Sequence, residues 1–169
     1  MNTGLLILRL VLGIAIAAHG SQKLVGWFGG PGLKGFASYL ESIGFRPGIR
    51  YALAGGLTEL LSGLLVALGL GGPIGPALLM SVMLVATATV HRGHGFFAST
   101  NGVELPILYI GGAVALAFLG AGQYSLDYLL GLDAVFPQMA SLIALVLGAL
   151  AAVGNLAARD VSKTAIKQS

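Results

Sequence analysis

Glu59 stands ten residues into an apolar stretch that runs from Ile49 to Leu70. About 20 apolar residues rising ~1.5 Å each cross roughly 30 Å of hydrocarbon, so this carboxylate falls near the bilayer midplane. An ionisable group at that depth normally turns to a protein interior or a wet cavity and has a partner, which makes Glu59 a candidate site. Arg9 is the matching cation, because it alone among the basic residues lies well inside the first apolar run, Gly4 to Leu24. Arg9, Gly13 and Ala17 recur at i, i+4 and i+8, as do Gly55, Glu59 and Gly63. Small residues on both faces let two helices approach closely, so a buried Arg9–Glu59 pair is expected. The plainer alternative has Arg9 reaching outward to lipid phosphate and Glu59 protonated against a neighbouring helix.

A second polar group gathers at one end of the spans. His19, Gln22 and Lys23 fall on one helix face at i, i+3 and i+4, and Thr87, His91 and His94 repeat that spacing further on. Asn101-x-x-Glu104 has the form of a capping box at the start of the next apolar run, although Pro106 blurs the boundary. Two His from different helices can clamp a haem, and His91, His94 and Glu104 can ligate a metal. Neither spacing is specific, and a His at a helix end is usually a hydrogen-bonded interfacial residue, so no metal ligands are assigned. A quinone headgroup fits better, since it needs only donors and acceptors beneath an apolar channel. Its candidate site is His19, Gln22, Lys23, His91 and Glu104. Phe96, Phe97 and Tyr109 can line such a pocket or act as ordinary belt and packing residues.

The elements that carry these groups are set by composition. With 56% apolar residues, 9% charged residues and a mean hydropathy of +0.91, the chain cannot clothe a soluble domain in polar surface. It reads as all-α, a polytopic membrane helical bundle. Cys is absent, so thiolate chemistry and iron–sulfur ligation by the polypeptide are excluded, and any redox role uses a bound group. Nine Lys and Arg spread over several loops form no stripe for nucleic acid.

Five apolar runs stand out: Gly4 to Leu24, Ile49 to Leu70, Ile74 to Val90, Leu105 to Leu119 and Met139 to Ala158. No basic residue precedes the first apolar stretch, so it is read as a span and not as a cleaved leader. Gly69 to Pro73 is a turn signal that folds the second and third runs into an antiparallel pair. The stretch around Gly29-Gly30-Pro31-Gly32 lacks the ending of a phosphate loop and reads as an interfacial loop, with Trp27 and Phe28 at headgroup level. Five crossings gather eight of the nine basic residues on one side, whereas the fourth connection carries Asp127 and Asp133 and no Lys or Arg. The positive-inside rule then puts the N-terminus outside and the C-terminus in the cytoplasm.

Leu8-Arg9-Leu10-Val11-Leu12-Gly13, His19-Gly20-x-Gln22-Lys23-Leu24 and Gly26-Trp27-Phe28-Gly29-Gly30-Pro31-Gly32 together resemble the opening of the DoxX family. Glu59-Leu60-x-x-Gly63, His91-x-x-x-Gly95-Phe96-Phe97, Glu104-Leu105-Pro106 and Gly122-x-Tyr124-Ser125-Leu126-Asp127 continue the likeness. The resemblance implies a four-helix core over residues 1–127, to which this chain adds a connection at 128–138, a fifth transmembrane helix at 139–158 and a basic cytoplasmic tail at 159–169. It further implies an inner-membrane protein tied to quinol oxidase or thiosulfate:quinone oxidoreductase complexes, without supplying a catalytic mechanism. Three classes remain open. The chain is an accessory or quinone-interacting subunit working with other redox subunits, a membrane scaffold or assembly factor, or a carrier of a small or lipidic solute.

Overall fold

A computed structural model describes residues 2–160; Lys163 and Lys167 of the expected tail lie outside them. The described chain is helical, with no strand among the described residues. In order it forms α1 (Asn2–Val25), α2 (Gly32–Ser42), α3 (Gly48–Leu68), α4 (Ile74–Ala86), α5 (Glu104–Leu119), a short α6 (Leu126–Leu129) and α7 (Gln138–Ala157). Pro47, Pro73 and Pro137 stand immediately before α3, α4 and α7, where a missing N–H interrupts no helical bond. Gly69 ends α3 at φ 65°, a left-handed geometry that a side chain resists. α4 runs on into a π-helical turn, Thr87–His91, closed by Arg92 N donating to Thr87 O at 2.9 Å.

α1 and α3 form the tightest pair, and glycine is the reason. A Cβ at Gly13 would stand 2.6 Å from Gly63 O, and one at Gly20 would stand 2.5 Å from Leu60 N. Without side chains there, the two antiparallel backbones meet directly and gain dispersion along the whole seam. The expected small faces are thus used at Gly13, Ala17 and Gly63, while Gly55 turns to Phe36 on α2 instead. α4 packs against α3, α5 and α7, around a core that includes Ile16, Val66, Leu79, Met80, Ala113, Leu116 and Leu145.

The outer surface is apolar. Ile143, Leu147, Leu150 and Val153 of α7 are each more than half exposed, as are Ile7, Val11 and Ile14 of α1. Such a continuous apolar surface suits hydrocarbon and would be a liability in water. Among the described residues four helices are long and apolar enough to cross a membrane, and α5 adds a shorter apolar helix of 16 residues.

The ends of the described chain sit at opposite ends of the bundle. Asn2 Nδ2 donates to Gln123 Oε1 at 2.7 Å at one end, and Asp160 N donates to Gly44 O at 2.9 Å at the other. That separation agrees with an odd number of long helices among the described residues, α1, α3, α4, α5 and α7. One expectation needs correction: the connection after α1 is not merely a loop. Trp27 and Phe28 are exposed as expected, but residues 32–42 form α2, which packs its Ala37 and Phe36 against α3 near Gly48 and Gly55.

Candidate functional site

Glu59 is 1% exposed and its Oε1 accepts a charge-assisted hydrogen bond from Lys23 Nζ. Helix direction explains the pairing. Side chains on a helix lean toward its N-terminus, so Lys23, near the end of α1, leans inward, while Glu59 on antiparallel α3 leans toward it. Lys23 Nζ also lies 4.9 Å from the centre of the Phe36 ring, which adds a cation–π contact from α2. A buried carboxylate is thereby neutralised, but only on one side. Glu59 Oε2 is buried with no hydrogen-bond partner.

That oxygen belongs to a residue lining a cavity between α2, α3, α4 and α7. Phe36, Tyr39, Phe45 and Tyr51 supply aromatic wall, and the π turn of α4 contributes Thr89 and Val90. The space measures ≈ 130 Å³, close to the ~150 Å³ void that admits one benzene ring in an engineered core. Tyr39, Ala54 and Asn155 on its rim are exposed, so a longer substituent has a way out. An amphiphilic ring with oxygen substituents matches this mixture of flat apolar wall and one ion pair. The far edge is fastened by Arg159, whose Nε donates to Ile43 O and whose guanidinium lies 5.9 Å from the Phe45 ring centre.

The expected Arg9–Glu59 pair does not form. Arg9 stands level with Gly69, and its side chain leans away from Glu59 toward the N-terminal end of α1. There its Nη1 donates to Ala121 O at 2.8 Å and its Nη2 to Tyr124 O. Asp127 is the anion whose charge acts on it. Asp127 Oδ1 accepts from Gly71 N at 2.9 Å and Oδ2 from Gly72 N at 2.7 Å, while its own N–H donates to Gly69 O at 3.0 Å. Asp127 therefore clips the α3–α4 turn to the connection after α5, and Arg9 ties α1 to the same connection. Neither was expected to do this.

The five residues of the expected ring site are not brought together, and Lys23 alone of them lines the cavity. His19 is exposed and pairs with Gln22 along its own helix, Nδ1 to Oε1 at 3.2 Å. His91 Nδ1 contacts Asn101 O at 2.8 Å. Glu104 Oε2 accepts from Ala98 N at 2.7 Å, so it caps the preceding turn of helix, and Asn101, in the left-handed conformation at φ 63°, does not cap α5. Phe96 and Phe97 are exposed and stack edge to face, and Tyr109 packs on the hydrophobic core. Among the described residues no group of three or more His, Asp or Glu is placed to hold a metal ion. The aromatic wall came instead from α2 and the start of α3. Phe36, Tyr39 and Leu40, at i, i+3 and i+4, carried that signal in the sequence.

Fold and site define a polytopic helical membrane protein with an ion pair buried beside a ring-sized, partly aromatic cavity. A family match covers residues 4–92, more than half of the chain, and the chain belongs to the DoxX family. The matched stretch runs from α1 to the end of the π turn and contains Arg9, Lys23 and Glu59, whereas Glu104, Asp127 and α7 lie beyond it. Comparison with curated proteins and with solved structures gives no match.

Proposed function

We propose that this chain is an accessory, quinone-interacting component of a membrane oxidoreductase system, seated in the inner (plasma) membrane with its N-terminus outside and its C-terminus in the cytoplasm. The observation that supports it is the cavity at Lys23 and Glu59: one ring in size, walled by aromatics, and supplied with an ammonium that can donate to a ring oxygen. The exposed apolar exterior supports the reading, since an isoprenoid tail lying in the bilayer would meet an apolar surface beside that cavity. In this reading electron transfer is assigned to partner subunits. The test is extraction and quantification of isoprenoid quinone from the purified protein. Wild type retains quinone through purification, and Lys23→Met or Phe36→Ala loses most of it. Equal quinone content in wild type, the variants and an unrelated membrane protein of similar size rejects the reading.

A further inference from the structure

Arg9 is 2% exposed, yet its guanidinium is only partly satisfied. Nη1 and Nη2 are spent on Ala121 O and Tyr124 O, whereas Nε is buried without a hydrogen-bond partner among the described residues. An N–H desolvated in this way is unfavourable, and its complement is an acceptor. Arg9 lines a small cavity of ≈ 10 Å³ together with Val66, Gly72, Pro76, Leu116 and Gly120. That is about the room one water needs. Two carbonyls of the lining residues are also unclaimed, because among the described residues no backbone N–H donates to Gly72 O or Gly120 O. Pro76, four residues beyond Gly72, has no N–H to return to it, and Gly120 follows the last residue of α5.

We propose that this cavity is a binding site for a single water, which accepts from Arg9 Nε and donates to Gly72 O and Gly120 O. Three hydrogen bonds are the usual complement of an internal water. A small anion also accepts from Nε, but it has no hydrogen to give and meets both carbonyls acceptor to acceptor. The water supplies a link from α1 to the α3–α4 turn that the hydrogen bonds of Arg9 and Asp127, both made through the connection after α5, do not provide. Its source is a larger neighbouring cavity of ≈ 410 Å³, which shares Gly72, Gly120 and Ala121 with the small one. Gln123, Asp133 and Gln138 line that larger space and are themselves exposed, so it is polar, roomy and open to solvent. Arg9 is thus the inner end of a hydrated recess that opens at the Asn2 end of the bundle.

The test is millisecond X-ray radiolysis of the full chain in lipid nanodiscs, read by mass spectrometry, in which hydroxyl radicals born from bound water oxidise the side chains beside it. Leu116 borders the site, whereas Leu79 and Leu145 are comparably buried in the hydrophobic core and border neither cavity. Leu116 is oxidised several-fold faster than Leu79 and Leu145, and Val66 and Pro76 are labelled with it. Arg9→Met removes the donor at similar length, and the labelling of Leu116 falls to the level of the two core leucines. Protection of Leu116 equal to that of Leu79 and Leu145 in wild type overturns the proposal, whether the space is empty or holds an anion. Labelling that is unchanged or raised in Arg9→Met removes Nε as the group that holds the water. Should Arg9→Met fail to fold, the comparison of the three leucines in wild type decides the question.

Discussion

Lys23 and Glu59 lean toward each other from antiparallel helices, and each is placed by a backbone contact rather than by its own length. The glycine seam between α1 and α3 fixes their register, because Gly13, Gly20 and Gly63 allow only one close fit. Charge pairing here is thus a product of helix packing.

Lys23→Met keeps the apolar stem but leaves the Glu59 carboxylate without its cation. Removing one partner of a buried pair costs about 3–5 kcal/mol, and exposure of a quarter of the Lys23 side chain puts this case toward the lower end. Lys23→Met with Glu59→Leu recovers most of that loss, since no buried charge is left. Thermal unfolding in nanodiscs compares the two. A double variant less stable than Lys23→Met alone contradicts the account.

Gly63→Val drives a branched side chain into Gly13 O and the α1 backbone, whereas Gly111→Ala on α5 meets nothing within 4 Å. Overpacking typically costs about 1–3 kcal/mol, and contact with backbone, which cannot rotate aside, puts Gly63→Val at or above that range. Gly111→Ala is neutral or slightly stabilising through helix propensity. Monodispersity after heating, read by size-exclusion chromatography, separates them. Similar melting of both variants argues against a close α1–α3 seam.

Asp127→Asn keeps the size of the side chain but turns an amide N–H toward Gly71 N or Gly72 N, which both donate to the native carboxylate. Losing one charge-assisted bond costs about 1.5–3 kcal/mol. The effect is local to the clip between residues 69–72 and 121–132, so limited proteolysis cleaves the connection after α5 faster in the variant. Arg9→Met produces the same pattern. Unchanged cleavage rates in both would remove the clip from the structure's stability.

Absence of Cys makes sidedness easy to read. Gln123→Cys and Ser38→Cys lie at opposite ends of the bundle, next to the Asn2 contact and on α2 respectively. A membrane-impermeant maleimide added to intact cells labels Gln123→Cys, and Ser38→Cys reacts only after permeabilisation. The reverse pattern inverts the orientation inferred from the basic residues.

The apolar runs were legible because a membrane span needs about 20 residues of one character, and α1, α3, α4 and α7 match their runs within a few residues. Burial of Glu59 was legible for the same reason. Its partner was not. Sequence spacing puts Arg9 and Glu59 on glycine-lined faces but is blind to the tilt of side chains toward a helix N-terminus, which draws Arg9 away and brings Lys23 in. α2 was hidden because Gly32 and Gly35 resemble loop, and its Phe36, Tyr39 and Leu40 declare an apolar face only once α3 is there to receive it. Glu104 resembled the partner of a cap three residues back, yet the left-handed Asn101 turned the chain so that Glu104 meets Ala98 N instead.

The widened turn at Thr87–His91 carries its own consequence for how this molecule tolerates change in length. A turn closed five residues apart holds more chain than an ordinary helical turn, so it behaves as a stored insertion. Excising a single residue there would close the last turn of this helix as an ordinary one and turn the residues after the excision by roughly 100° about its axis. The shape offered to an occupant thus depends on residue count as well as on residue identity.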